Sequence, residues 1–182
     1  MQIIAEITDE MFGRESIPFH NQKIRYASRG IIEREDGLIA IFNKTKKNEY
    51  KLPGGGINED ETPEEAFKRE TKEETGCEIC DIKLLGIVKE LHSLDNFEQI
   101  SYIYCAKVKK MYADLALTDK EKDEGAKLLW MQKVEALNKI IDCSKNLKES
   151  EYENMYQSKF INYRDRKILE YYIEKYNIEV GI

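Results

Sequence analysis

The chain has 182 residues, which is enough for one domain with a sizeable core and leaves no length for a second complete domain. Hydrophobic residues make up 41% of the sequence and charged residues 35%, and no apolar run approaches the roughly 20 residues that cross a bilayer, so we exclude a membrane span. Met1 to Phe12 carries Glu6, Asp9 and Glu10 where a secretory signal needs basic residues and an apolar stretch, so we expect a cytoplasmic protein.

The net charge of -6 is concentrated in one segment of the chain. Residues 59–78 hold nine acidic side chains against three basic ones, and the rest of the chain is neutral. An acidic focus of this kind repels polyanions unless a cation lies in it. We therefore predict a local metal site and no binding of duplex nucleic acid.

The first part of the chain has the pattern of strands and loops. Met1 to Thr8 predicts a short strand or an arm, and residues 13–21 predict a loop. Lys23 to Arg34 and Leu38 to Phe42 are apolar-rich runs on either side of Asp36-Gly37, a dipeptide typical of hairpins. We predict an antiparallel hairpin here.

A glycine triplet follows the next strand. Tyr50 to Leu52 predicts a brief strand that ends at Pro53, and Gly54-Gly55-Gly56 then presents a backbone without β-carbons. We expect another group to approach that backbone closely.

The segment from Pro63 to Thr75 has the start and stop signals of a helix. Thr62 is a predicted N-cap, Pro63 occupies the first helical position, and Glu65 has the capping-box spacing. Gly76 is a predicted left-handed C-cap.

The remaining elements complete a mixed α/β pattern. Three further strands are predicted at residues 79–90, 99–109 and 128–131, and helices at residues 134–141 and about 160–176. Residues 142–159 resemble a linker into the last helix. These elements predict an α/β fold, an α/β/α sandwich around a mixed β-sheet with an extra C-terminal helix.

Three carboxylates of the predicted helix share one side. Glu70, Glu73 and Glu74 are three and four residues apart, so they lie close together and repel one another unless a cation is present. Carboxylate oxygens suit hard cations, and magnesium takes one or two of them while it keeps waters and substrate phosphates. We predict Mg²⁺ as the cofactor, with Mn²⁺ as the alternative, and a water activated to attack phosphorus. The competing interpretation is an ordinary solvated helix face.

The four cysteines are interpreted as free thiols. Cys77 and Cys80 form one C-x-x-C, but a structural zinc site would need a second pair or nearby histidines, and the only histidines are His20 and His92.

The spacing from Gly55 to Cys77 resembles the Nudix box, the signature of the Nudix hydrolase family. The chain matches every fixed Gly, Glu and Arg position of this 23-residue signature and departs from it only where Thr71 and Cys77 replace aliphatic residues. The surrounding elements also resemble the fold of that family. The resemblance implies an N-terminal arm or strand at 1–22, a Nudix-like catalytic domain at 23–141, and a linker with a packed C-terminal helix at 142–182.

The resemblance also implies roles for individual residues. Glu70, Glu73 and Glu74 would bind the metal, Glu73 and Glu74 serving catalysis as well, and the Gly54 carbonyl would complete the site. Arg69 and Glu61 would form a supporting pair that orients the catalytic helix. Glu124, six residues before Trp130, resembles the loop glutamate that takes the proton, with Glu121 and Asp123 as close competitors.

We therefore expect Mg-dependent hydrolysis of the pyrophosphate bond in a nucleoside diphosphate derivative, with a lean toward a nucleoside triphosphate or a modified one. The alternative is a catalytically silent Nudix-fold module with a nucleotide-binding or regulatory role. Arg29, His92 and Gln99 are candidate substrate-binding residues near strand edges. The partner is a nucleotide-type small molecule, and the tyrosines of the last helix could also form a homodimer interface.

Overall fold

The computed structural model describes residues 1–112 and 115–177, which form eight strands and four α-helices. The strands are β1 (Ile3–Ile7), β2 (Lys23–Glu33), β3 (Ile39–Lys44), β4 (Glu49–Lys51), β5 (Gly54–Gly56), β6 (Cys77–His92), β7 (Phe97–Met111) and β8 (Ala126–Met131). The helices are α1 (Pro63–Thr75), α2 (Asp119–Asp123), α3 (Lys133–Cys143) and α4 (Met155–Asn177).

All eight strands belong to one mixed sheet. Its main order is β1-β6-β7-β2-β3-β4, and β5 pairs with β2 while β8 pairs with β3. The pairs β1–β6 and β2–β7 are parallel, and the others are antiparallel. The ladder of β2 with β7 runs from Lys23 opposite Phe97 to Glu33 opposite Lys107, and it forms the floor on which the candidate site lies.

Helices cover both faces of the sheet. Consecutive strand residues point to opposite faces, so Ile31 enters the core under α3 and α4 while Ile32 enters the core under α1. Phe67 of α1 stacks on Tyr104, with ring centroids 5.2 Å apart. The predicted sandwich around a mixed sheet is confirmed.

The local signals at the hairpin and at α1 are confirmed in detail. Arg34 N donates to Leu38 O at 2.8 Å across the predicted turn. Thr62 and Glu65 form the capping box, and Gly76 takes a left-handed conformation with φ of 65° that places its N–H on Lys72 O. Helix α1 therefore begins and ends at the predicted residues.

The segment before the last helix is more structured than a linker. Helix α4 begins at Met155 rather than near residue 160, and Leu147 in the connection is buried. Lys148 N donates to Lys47 O at 2.9 Å, so the connection is anchored to the β3–β4 turn. The prediction of a passive linker missed these contacts because they join residues about 100 positions apart. The three-part domain division stays a prediction.

The tyrosines of α4 are used partly inside the chain. Tyr172 is buried and its hydroxyl donates to Glu33 at 3.1 Å. The homodimer interface stays a prediction. None of the helices in residues 1–112 and 115–177 combines the length and apolar character needed to span a membrane.

Candidate active site

Glu74 is the most deeply buried carboxylate of α1. Its Oε2 accepts the Gly54 N–H at 2.7 Å, and its Oε1 accepts from Lys51 Nζ at 3.0 Å. Burial raises the pKa of Glu74, and the cation of Lys51 and the bond from Gly54 oppose that rise. Helix and glycine strand are thus joined through one carboxylate.

The position of Gly55 has no room for a side chain. A β-carbon built on Gly55 would lie 2.4 Å from the carboxylate carbon of Glu70, which is closer than atoms can approach. The Glu70 carboxylate therefore rests directly against the strand backbone. The expected close approach to the glycine backbone is made by the helix's own carboxylate.

Arg69 joins the acidic loop to the helix. Its guanidinium donates to both Glu61 oxygens at 2.7 and 2.9 Å and to Gly56 O at 2.9 Å. The third nitrogen lies 2.7 Å from Glu70 Oε1 and 3.2 Å from Glu73 Oε2. The bidentate pair with Glu61 raises the pKa of Arg69 and holds the guanidinium in one plane. This is the geometry expected of a supporting pair.

Two of the three candidate carboxylates of α1 are placed to bind a divalent cation. Within residues 1–112 and 115–177, no three His, Cys, Asp or Glu side chains converge on one point as metal ligands do. Glu70 and Glu74 line the same cavity, whereas the Glu73 side chain is 43% exposed and lies beside Arg69. Because magnesium needs only one or two protein carboxylates, the pair of Glu70 and Glu74 is a suitable donor set.

These two carboxylates face a cavity of about 580 Å³ between α1, the sheet and α4. Its lining balances six cations and six carboxylates: Arg25, Arg29, Lys44, Lys51, Lys120 and Arg164, with Glu70, Glu74, Glu90, Asp95, Glu121 and Glu153. The size and polar lining suit a charged small molecule. Arg29, His92 and Gln99, the three candidate substrate-binding residues, all line it.

Gln99 is held by its neighbours on the cavity floor. Its Nε2 donates to Glu90 at 2.6 Å and to Ser101 at 3.4 Å, and its Oε1 accepts from Arg25 at 3.2 Å. Both amide hydrogens are thereby used. This geometry favours a positioning role for Gln99 over direct contact with a ligand.

The negative charge of Glu90 is neutralised by Arg164 of helix α4, on the opposite wall of the cavity. Arg164 of α4 lies 3.3 Å from Glu90 and 2.7 Å from Asp165, and Asp165 accepts Leu52 N at 2.9 Å. Burial would raise the pKa of Glu90, but Arg164 and neighbouring donors outweigh it and hold the pKa at about 2. Helix α4 is therefore a wall of the cavity rather than an appendage.

His92 is enclosed by aromatic rings. Its ring stacks on Phe160 with centroids 3.8 Å apart and meets Phe97 and Tyr156 edge-on. Its side chain is 6% exposed, and Nδ1 lacks a hydrogen-bond partner among the described residues. His92 thus closes the aromatic end of the cavity.

The structure does not bring Glu124 to the cavity. The residue is 2% exposed, its carboxylate lies 2.8 Å from Lys44 Nζ, and it accepts from Ser150 Oγ at 2.6 Å. Glu121, one helical turn earlier on α2, lines the cavity and lies close enough to Glu74 to raise its pKa. Glu124 as the base stays a prediction, but its charge is already neutralised by Lys44, and this placement favours Glu121. Asp123, the third candidate, accepts from the Tyr152 hydroxyl at 3.0 Å.

Sequence reasoning found Arg29 but missed the other cations of the site. Arg164, Lys44, Lys51 and Lys120 come from four different elements and have no shared spacing that would indicate a site. A usable signal existed only for Arg164-Asp165, an adjacent ion pair within a predicted helix whose other face is apolar.

Comparison with known proteins gives a consistent result. The family model of the NUDIX domain matches residues 23–172. A MutT-like protein of Streptomyces ambofaciens is 35% identical over 74 residues, which are 41% of this chain and 46% of that protein. An RNA pyrophosphohydrolase of Xanthomonas campestris is 41% identical over 56 residues, which are 31% of this chain and 27% of that protein. The chain thus spans less than half of the length of these relatives.

Solved structures show the same fold. A MutT NUDIX hydrolase from Burkholderia pseudomallei superposes with a TM-score of 0.55 at 21% identity, over 82% of this chain and 98% of that one. A NUDIX hydrolase from Nitrosomonas europaea gives a TM-score of 0.54 at 17% identity, over 80% of this chain and 92% of that one.

Proposed function

The chain belongs to the NUDIX family, and from that premise we propose that it is a metal-dependent hydrolase that breaks the pyrophosphate link of a nucleoside diphosphate derivative. One observation carries the proposal. Glu70 and Glu74 lie against the Gly54–Gly56 backbone and face a cavity whose other walls carry six cations and four further carboxylates. Such a site can hold a metal cation next to the phosphate groups of a substrate.

The proposed cation is Mg²⁺, with Mn²⁺ as the alternative. Glu70 and Glu74 would hold it with the Gly54 carbonyl, and Glu73, beside Arg69, lies one turn from Glu70 as a further donor. A bound divalent cation would supply Lewis-acid activation of the phosphoryl group and of the attacking water. Arg69 and Glu61 keep the helix carboxylates in place, because one guanidinium contacts the loop, the strand and the helix.

Glu121 is the proposed proton acceptor. Hydrolysis adds the hydroxyl of water to one phosphorus, breaks the bridging phosphorus–oxygen bond, and leaves one proton to be removed. Glu121 lines the cavity near Glu74, and its carboxylate has only the exposed hydroxyl and N–H of Thr118 as partners within hydrogen-bond distance among the described residues. It therefore retains the exposure to substrate that a general base needs.

The test is a hydrolysis screen of purified protein against nucleoside diphosphate derivatives in magnesium, with products identified by chromatography. Glu70→Gln and Glu74→Gln should each lower turnover by at least about 100-fold, since the amide loses the charge that holds the cation. Glu64→Gln is the matched control, because Glu64 is an exposed carboxylate of the same helix paired with Lys68. Equal turnover in all four proteins would refute the assignment. Nucleotide binding without turnover would instead support the catalytically silent module.

A further inference from the structure

Arg29 is a buried cation without a contact ion pair. It is 4% exposed, it lines the cavity, and its Nε donates to Ser101 Oγ at 3.3 Å. No carboxylate in residues 1–112 or 115–177 lies within 4.0 Å of its guanidinium. The two terminal nitrogens of the guanidinium are therefore available to a ligand in the cavity.

The neighbouring acids explain how Arg29 can be buried in this way. Glu90 and Asp165 are close enough to affect Arg29, but both are bonded to Arg164. Arg29, Arg164, Glu90 and Asp165 are neutral as a group, so the cost of burying Arg29 is reduced although no carboxylate contacts its guanidinium. Burial, together with repulsion from Arg164, lowers the pKa of Arg29 to about 10.

Arg29 lies at the carboxylate end of the cavity. It is opposite Gly54 in the β2–β5 ladder, and Gly54 N is bonded to Glu74. Lys51, the ion-pair partner of Glu74, is near enough for the two cations to repel. An anion on Arg29 would thus be adjacent to the proposed metal ligands.

The opposite end of the cavity has different chemistry. Phe97, half-buried beside His92, pairs with Lys23, which is six residues before Arg29 on β2 and therefore about 20 Å away along the strand. Aromatic rings suit a base, and buried cations suit phosphate. A nucleotide would lie along β2 with its nucleoside toward Phe97 and its phosphate chain toward Arg29.

We propose that Arg29 binds the free phosphoryl end of the substrate's phosphate chain and so selects nucleotides that end in unesterified phosphate over those capped at both ends. This inference rests on the proposed function. A planar guanidinium fork matches two oxygens of one phosphoryl group, and a free end carries more charge than a diester. Lys51, whose side chain is 12% exposed, lies near Arg29, and Lys44 lines the same cavity, so this end of the cavity offers cations to a charged phosphate end.

The first experiment measures binding and needs no turnover. Inorganic tripolyphosphate is titrated into wild type, Arg29→Gln, Arg29→Lys and Arg34→Gln by calorimetry in metal-free buffer. Arg29→Gln should weaken binding by about 10- to 100-fold, the range for a charge-assisted hydrogen bond, and Arg29→Lys should recover part of it. Arg34 is the control, because it lies at the turn end of β2 and pairs with Asp36. Unchanged tripolyphosphate affinity in both Arg29 variants, folded by thermal melts, overturns the inference.

The second experiment measures selectivity. Wild type should turn over ATP with a lower KM than diadenosine tetraphosphate or ADP-ribose, and Arg29→Gln should raise KM for ATP by the same 10- to 100-fold while KM for the capped compounds stays unchanged. A uniform rise in KM for all three overturns selection by Arg29. Lost tripolyphosphate binding in a protein that hydrolyses none of the compounds supports the anion site and counts against the proposed function alone.

Discussion

Two charge-rich regions of this protein lie side by side and differ in how completely their charges are neutralised by ion pairs. Glu70 and Glu74 at the end of α1 face a cavity, and within residues 1–112 and 115–177 the α1 carboxylates Glu70, Glu73 and Glu74 pair only with Lys51 and Arg69. The lysine–glutamate network, formed by Lys44, Lys47, Glu49, Glu124 and Glu153, pairs its charges with one another, and only its Lys44 and Glu153 also line the cavity.

The charges of this network have a structural role. Lys47 and Glu49 are both fully buried with 3.4 Å between Nζ and Oε2, and Lys47 also pairs with Glu153. Lys120 adds a third cation 3.0 Å from Glu153, so the cluster is neutral. It joins the β3–β4 turn, α2 and the start of α4. Burial alone therefore does not indicate function here, whereas a buried charge directed at a cavity without a full set of partners does.

Metal removal should separate the two regions most strongly. Chelation should abolish turnover, and added magnesium should restore it, because the α1 carboxylates need a cation to act. The fold should survive, since the core and the network contain no metal ligands that we propose. Activity assays and thermal melts with and without EDTA test this. Unfolding on chelation would mean that the cation is structural.

Replacing Glu121 of α2 and Glu124, the residue that follows α2, one at a time tests the comparison directly. Glu121→Gln should lower kcat by about two to four orders of magnitude with little change in KM, the usual effect of losing a general base. Glu124→Gln should keep kcat within a few fold and lower the free energy of unfolding, because Lys44 then loses its nearest carboxylate. Steady-state kinetics and urea unfolding measure both. The reverse pattern would return the base to Glu124.

Breaking the network should cost stability and leave chemistry intact. Lys47→Met should lower the free energy of unfolding by about 3–5 kcal/mol, because buried Glu49 then keeps only the more distant Lys44, 3.8 Å away, and Glu153 loses one of its cations. Lys68→Met, in the exposed pair with Glu64, is the control and should change it by less than about 1 kcal/mol. If the two variants unfold at the same urea concentration, the network is not a stabilising element.

The smallest expected effect is on the pH dependence of stability. Burial would raise the pKa of Glu153, but Lys44 and Lys47 outweigh it and hold the pKa below its ordinary value. Its stabilisation is therefore present above about pH 4.5 and is lost as the pH falls below that value. Unfolding free energies from pH 6 to 3 should fall by about 1 kcal/mol more in wild type than in Glu153→Gln.

Glu49 contributes in the opposite direction to this pH dependence. Burial raises its pKa, so protonation of Glu49 at low pH offsets part of the loss. The difference between wild type and Glu153→Gln isolates the Glu153 contribution, and parallel curves would contradict the assigned pKa shift.

Local signals in the sequence determined the hairpin at Asp36-Gly37, both ends of α1 and the spacing of Glu61, Arg69, Glu70 and Glu74. Each of these depends on residues within one turn or one short loop, where backbone sterics and capping bonds act over a few positions. The same locality explains why the reaction class could be inferred before the fold was seen.

Only the tertiary structure decided which charges face the cavity. Glu121 and Glu124 are three residues apart and are close competitors by sequence, yet Lys44 from strand β3 neutralises Glu124 and leaves Glu121 at the cavity. Among the described residues no carboxylate contacts Arg29, because Arg164, 135 positions later, is paired with both nearby carboxylates. Pairing over such distances depends on how the sheet and α4 pack, and no local pattern in the sequence records it.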